Sequence, residues 1–414
     1  MNPISTSILS FSTLALAAWL PGQEAANTGA AALVIKTTDA DVASQVADMF
    51  SYASSDLPKT EDGECFVMSL GNDGTLKVTS EKTASGFLSL RAKPSALMSI
   101  FGDRIQQVQG QVSMMAGFAA PQMGVSPGDL NKLIEDVFAF PNQIDAIAVD
   151  VTGSPDKGFD GKVDVAAAAD GWLAKFVGNL EPNKAGAPLL NQPDALLHLT
   201  TNMPATTLSQ MVQPFLGIVV GGGAADKEEK AKFMAMVKDF VAQMDGTMAM
   251  ALLPEKTQKM VAGLVDSQKA ASLMASADYK AWRQASSEAN PNADIEIKDD
   301  AAKHRDVSMT RTVAEISTPM GDEKSTTFTG IAGPYLFMTS SESEAKSVVD
   351  SILDDKVKRG ALDGSALLTL SVKVAEMAAT MSNGMANSEE MPRSLDLTMN
   401  RQGSALKFAF KVGL

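Results

Sequence analysis

Asp194-Ala195-Leu196-Leu197-His198-Leu199 decides the fold reading, because the chain writes two close variants of it: Ser95-Ala96-Leu97-Met98-Ser99-Ile100 and Gly364-Ser365-Ala366-Leu367-Leu368-Thr369-Leu370. Each opens on a small or turn-forming residue, passes through Ala and Leu, and sets a small polar or imidazole side chain before the last aliphatic. That alternation fits a strand with one buried face. After each phrase come residues at helical spacing and then two strand-like runs. These runs are Ile144 to Val151 with Phe159 to Ala167, Thr247 to Leu253 with Lys259 to Val265, and Leu395 to Asn400 with Ala405 to Val412. The pattern predicts an α+β fold of about three decayed strand-helix-strand-strand repeats, with mixed or antiparallel sheets covered by helices on one face. On this reading Met98, Leu197 and Leu368 occupy equivalent buried positions in a sheet.

Strands that run into capped helices form a second recurrent unit. Thr38-Asp39-Ala40-Asp41, Asp266-Ser267 and Ser341-Glu342-Ser343-Glu344 each precede apolar residues at helical spacing, and their side-chain oxygens suit the orphan amides of a first turn. Gly71-Asn72-Asp73-Gly74 and Asp156-Lys157-Gly158 read as hairpin turns, since Asn, Asp and Gly tolerate positive φ. Residues 286–325 read as a surface hairpin with strands at Ala293 to Ile297 and Val307 to Ile316 and a turn at Pro319-Met320-Gly321-Asp322. Pro182, Gly186, Pro188 and Pro193 cluster in 179–192, which predicts a linker there. It would separate an N-terminal lobe, 26–178, from a C-terminal lobe, 193–414.

Residues 1–25 read as an export signal with cleavage at Ala25-Ala26: an apolar segment from Ile8 to Leu20, a break at Pro21-Gly22, then small residues. The expected location is periplasmic or extracellular, with no transmembrane segment in the mature chain. The formal charge of −14 opposes nucleic acid and anionic membranes. One cysteine, Cys65, excludes an intrachain disulfide and a thiolate metal cluster.

The strings that carry chemistry elsewhere lack their supporting context. Gly124-Val125-Ser126-Pro127-Gly128 has the spacing of a nucleophile elbow, but Pro127 has no amide hydrogen for an oxyanion hole. Ser126 as a cap and Pro127 as first helical residue explain it instead. Ser154 with Lys157 and Ser343 with Lys346 lack a Lys-Thr-Gly strand. Gly221-Gly222-Gly223 precedes Asp226, Glu228 and Glu229, which would repel a phosphate at the helix start. Of two histidines, His198 fills the polar slot of its strand phrase, and His304 lies in the polar run Asp299 to Asp306. His304 is expected to be exposed, and a metal or hydrolytic site would need it to pair with Asp300 or Asp306. No cofactor is expected.

Methionine is the compositional outlier, at 24 residues. Its clusters follow the repeated phrases: Met114, Met115 and Met123; Met234, Met236 and Met244; Met377, Met381 and Met385. Flexible thioethers fill core gaps and also line adaptable apolar surfaces. The reading is an exported, non-enzymatic protein binding an apolar small molecule, peptide or protein partner on Met-lined helices. Competing readings are a hydrolase or metal-dependent enzyme centred on His304 and nearby Asp residues, and a structural envelope protein with no small ligand.

Overall fold

The computed structural model of the chain describes residues 31–61, 63–82, 86–119, 127–154, 156–190, 192–212, 227–288, 293–318, 321–381 and 391–414. Residues 1–25, expected to be an export signal, and Met123, Ser126, the 221–223 glycines, Asp226, Pro319-Met320 and Met385 lie outside the described residues.

Strand β1 (Ala31–Thr37) leads into helix α1 (Ala40–Met49) and the hairpin β2 (Glu64–Gly71), β3 (Leu76–Lys82). Strand β4 (Leu88–Ala92) leads into α2 (Pro94–Ala119) and α3 (Pro127–Ala139), then the pair β5 (Ile144–Ser154), β6 (Gly158–Ala167) and α4 (Trp172–Gly178). After the short β7 (Ala187–Pro188), β8 (Leu197–Asn202) leads into α5 (Ala205–Val212) and α6 (Lys227–Val241). Next come β9 (Met244–Leu252), β10 (Gln258–Leu264), α7 (Ser267–Ala275) and α8 (Ala277–Glu288). The long strands β11 (Ala293–His304), β12 (Val307–Thr318) and β13 (Gly321–Ala332) precede β14 (Tyr335–Thr339) and α9 (Glu342–Leu353). The chain closes with β15 (Arg359–Gly360), β16 (Leu368–Val372), α10 (Val374–Met381), β17 (Ser394–Gln402) and β18 (Ala405–Gly413).

The fold is α+β, built on extensive antiparallel sheet with helices. Among the described residues one compact unit takes the chain up to 109 with 137–179 and 370–414, and the other takes 110–119, 127–136 and 180–369. In the first unit the strands run β17-β18-β6-β5-β4-β1-β2-β3, each neighbour antiparallel. Leu90 stands opposite Ile35 on one side and Val149 on the other, and Val149 opposite Val163. This row lies in a core that takes Val46 from α1, Leu97 and Phe101 from α2, and Leu173 and Val177 from α4. The opposite face carries the pairs Arg91–Asp150 at 2.7 Å and Lys407–Asp164 at 3.6 Å, as expected for an antiparallel sheet with one solvated face.

The second unit orders its strands β11-β12-β13-β14-β10-β9-β8. Here helices lie on both faces, where cover on one was expected. Val261 and Phe337 are buried with Val348, Val349 and Ile352 of α9, while Ala262 and Leu336 face the other way beneath Phe240 of α6 and Ala270 of α7. The cause is local sequence: Val261 to Leu264 and Tyr335 to Phe337 are buried at consecutive positions, so both faces need apolar cover.

Caps form where the side chains suit them. Asp39 accepts from the amides of Asp41 and Val42, Asp266 from Lys269, and Ser341 from Glu344. Gly74 closes the β2–β3 turn at φ +79°, and α3 begins at Pro127.

The three phrases do not hold equivalent positions. Leu197 and Leu368 are in strands, but Met98 is in helix α2, half-buried, because Pro94 starts a helix and the strand is the preceding Leu88-Ser89-Leu90-Arg91-Ala92. Residues 293–304 also differ from expectation. The first strand does not stop at Ile297 but continues to His304 through an irregular register between Lys298 and Ala302, with Asp300 at φ +51°. Pairing with β12 overrides the weak strand propensity of that polar run.

Candidate functional site

The methionines singled out from sequence divide by environment. On α2, Met114 is 68% exposed, Met115 70% and Phe118 75%, with Val108 and Val112 also exposed. From Ile105 to Ala119 this helix has no charged side chain; its polar residues are glutamines and Ser113. Met236 is instead buried with Phe233 and Val237, and Met234 packs against them beside Tyr279 and Trp282. Met244 packs against Ala262, Leu264 and Leu336. Met377 is half-buried on α10. Met381 ends α10, and its side chain lies outside the described residues. Thus α2 holds Met114 and Met115 outward, while Met234, Met236 and Met244 pack into hydrophobic clusters of the second unit.

His304 is not the free surface residue expected. At the end of β11 its Nε2 lies 2.8 Å from Asp350 Oδ1 on α9, and Arg305 Nη1 donates to Asp350 at 3.2 Å and Asp354 at 2.5 Å. The partner is Asp350, 46 residues away, rather than Asp300 or Asp306. Asp300 accepts from the hydroxyl of Ser308, and Asp306 pairs with Lys303 at 3.0 Å. The hydrogen bond from His304, joined by the Arg305 hydrogen bond and both positive charges, outweighs desolvation and holds Asp350 below the usual carboxylate range. Arg305 at φ +48° and Asp306 at φ +67° form the turn that delivers these groups to α9. Among the described residues no group of three or more His, Cys, Asp or Glu side chains is arranged to hold a metal.

His198 is on β8, and its Nε2 is buried without a hydrogen-bond partner. Burial lowers its pKa, opposed by a hydrogen bond with the Leu190 backbone. Ser343 and Lys346 both lie on α9, where Lys346 pairs with Glu342 at 2.7 Å.

A polar cluster that sequence reasoning missed ties the second unit together. Arg359 on β15 pairs with Asp245 on β9 at 2.7 Å, with side chains only 19% and 11% exposed. Asp245 Oδ1 accepts from the Thr247 amide at 2.8 Å and hydroxyl at 2.6 Å. Arg359 Nε donates to the Tyr335 hydroxyl at 3.1 Å, and its guanidinium carbon lies 5.0 Å from that ring's centroid. Asn183 donates to the Asp245 carbonyl at 2.7 Å. A Cβ on Gly263 would lie 2.2 Å from Asp245 Oδ2, so only glycine leaves room for the carboxylate. Burial alone would lower the Arg359 pKa, but the Asp245 carboxylate outweighs it and the net shift is upward. All these groups have partners, which makes the cluster a structural clasp. No sequence signal marks it, because Asp245 and Arg359 are 114 residues apart.

No helix among the described residues is long and apolar enough to cross a membrane. No family model matches the chain, and no curated protein matches it. A solved structure, crystal form I of TP0453, aligns with 55% of this chain and 76% of that one at 10% identity, with a TM-score of 0.27. A likeness that slight carries neither fold nor function to this chain.

Proposed function

We propose that this is an exported, non-enzymatic protein that binds an apolar ligand, peptide or protein partner on the Met-lined C-terminal half of α2. The observation that carries the reading is the exposure of Met114, Met115 and Phe118, each above two thirds, on a stretch without charge. Covering such side chains regains about 25 cal/mol for each Å² removed from water. A contiguous exposed apolar patch is a mark of an interaction surface. With no charge between Ile105 and Ala119, docking there desolvates only glutamine amides and Ser113. Unbranched thioethers can repack around occupants of different shape. The net charge of −14 disfavours nucleic acid as that occupant. The enzyme reading has less support, since Asp350, the carboxylate that meets His304, is also held by Arg305 as a surface ion pair.

The test is native mass spectrometry of the protein purified from its own host. A bound apolar species or partner is expected, and the triple variant Met114→Gln, Met115→Gln, Phe118→Gln should lose it while keeping the same unfolding midpoint. Bare protein in both samples, or equal retention by the variant, would contradict the reading.

A further inference from the structure

Strand β3 ends the strand order of the first unit, and β2 is its one partner strand among the described residues. Its register is unbroken from Glu64 opposite Lys82 to Leu70 opposite Leu76, with neither bulge nor proline. Strand β11, which ends the order in the second unit, differs: its register is irregular between Lys298 and Ala302, and Asp300 sits at φ +51°, devices that turn an edge away from further pairing. On β3, Leu76 and Val78 pack against the core, whereas Lys77, Thr79, Ser80 and Lys82 are exposed. Thr79 and Ser80 lie on opposite faces, so neither face is covered at this edge.

The hairpin fixes which backbone groups point outward. Gly71 donates its amide to the Thr75 carbonyl at 3.0 Å. Antiparallel ladders alternate from such a pair, so Lys77, Thr79 and Glu81 direct their amides and carbonyls to β2, and Leu76, Val78, Ser80 and Lys82 direct theirs to the open edge. Two copies of β3 meeting antiparallel about Thr79 set Val78 against the partner's Ser80 and Leu76 against the partner's Lys82, which exchange about eight backbone hydrogen bonds in all. The intervening pairs, whose side chains approach more closely, are then Thr79 with the partner's Thr79 and Lys77 with the partner's Glu81, twice over. Both combinations are favourable cross-strand neighbours. Glu81 already pairs with Lys36 of its own chain and would lie between two lysines. A slip of one residue sets outward groups against inward ones, and a slip of two sets Lys77 against Thr79 and Glu81 against Thr75. Edge lysines repel a strand that lacks matching carboxylates, and a second β3 supplies them in the one register that also satisfies the backbone. We infer that β3 is an interface through which two copies of this chain pair antiparallel about Thr79, joining their first-unit sheets edge to edge. The inference stands apart from the α2 reading.

The test is sedimentation velocity of the full chain from micromolar to sub-millimolar concentration at physiological salt, where repulsion between two chains of net charge −14 is screened beyond about 8 Å. A concentration-dependent dimer is expected. Lys77→Glu and Glu81→Lys should each weaken it about tenfold, because both interchain pairs become like-charged. An equal mixture of these two variants should form a heterodimer at near-parent affinity, since each then meets its opposite charge. Ser80→Pro removes an outward amide and spares the β2 ladder, so it should abolish the dimer and keep the unfolding midpoint. Cys65 is buried, so an added surface cysteine reports position. Thr79→Cys should cross-link rapidly under mild oxidation, because its own symmetry mate lies at disulfide distance, and Lys77→Cys should cross-link slowly. Failure of the mixture to associate, a dimer untouched by the charge variants and by Ser80→Pro, or equal cross-linking at 77 and 79 would overturn the inference. A chain that stays monomeric at every concentration would also overturn it, and would leave the edge to a strand of another protein.

Discussion

Replacing Arg359 with methionine keeps most of the side-chain volume and removes the cation that faces Asp245. Asp245 is 11% exposed at its side chain, and Arg359 supplies its charge partner at 2.7 Å. Removing one member of a buried pair typically costs about 3 to 5 kcal/mol, because the remaining charge stays desolvated without compensation. Two features set the value here. Thr247 continues to donate two hydrogen bonds to Asp245, which favours the lower end. Loss of the Tyr335 hydroxyl bond adds about 1 kcal/mol. The expected cost to the second unit is therefore about 4 kcal/mol, read from urea unfolding followed by tyrosine and tryptophan fluorescence. Asp245→Asn combined with Arg359→Met should recover more than half of that loss, since no bare charge is left. A single variant within about 0.5 kcal/mol of the parent, or a double variant worse than the sum of the singles, would refute the clasp.

Gly263→Ala should destabilise by about 1 to 3 kcal/mol, because its Cβ would meet the Asp245 carboxylate at 2.2 Å; an unchanged midpoint would contradict this. Met309, fully buried, should cost about 2 to 5 kcal/mol when cut to alanine, while Met115, 70% exposed, should cost within about 0.5 kcal/mol in the same unfolding assay. Asp350 and Asp354 have depressed folded pKa values, Asp350 chiefly through His304 and Asp354 through Arg305. Their contribution is therefore present above the ordinary carboxylate value of 3.8 and lost as pH falls through the lowered folded values. Amide exchange at the β11–β12 turn should accelerate over that acid range in the parent, and His304→Ala with Arg305→Ala should flatten the dependence.

Local signals were legible in the sequence where local physics decides the structure. The Gly71 to Gly74 turn, the caps at Asp39, Asp266 and Ser341, and the strand pairs β5–β6, β9–β10 and β17–β18 follow from side chains within a few residues. The phrase at Ser95 misled because its Ala-Leu-Met run suits helix and strand alike, and Pro94 settles the matter one residue earlier. The strand candidate stopped at Ile297 because residues 298–304 are held in strand by register with β12 rather than by propensity. Neither the His304–Asp350 contact nor the Asp245–Arg359 pair has a local trace, since topology brings their members together. Methionine content marked an unusual chain, but only burial separates the outward Met114 and Met115 from the packed Met236 and Met244.

The central claim is that the outward face of α2 is covered when the protein is at work, and the oxidation of Met114 and Met115 by dilute hydrogen peroxide tests it most directly. Exposed thioethers form sulfoxides readily, so peptide mass spectrometry can follow these two against buried Met68 and Met309 in one sample. In protein isolated gently from its host, Met114 and Met115 should oxidise slowly, and organic extraction followed by refolding should raise their rate several-fold while Met68 and Met309 stay slow. Equal, fast oxidation of Met114 and Met115 before and after extraction would mean that nothing occupies the face, and would contradict the account.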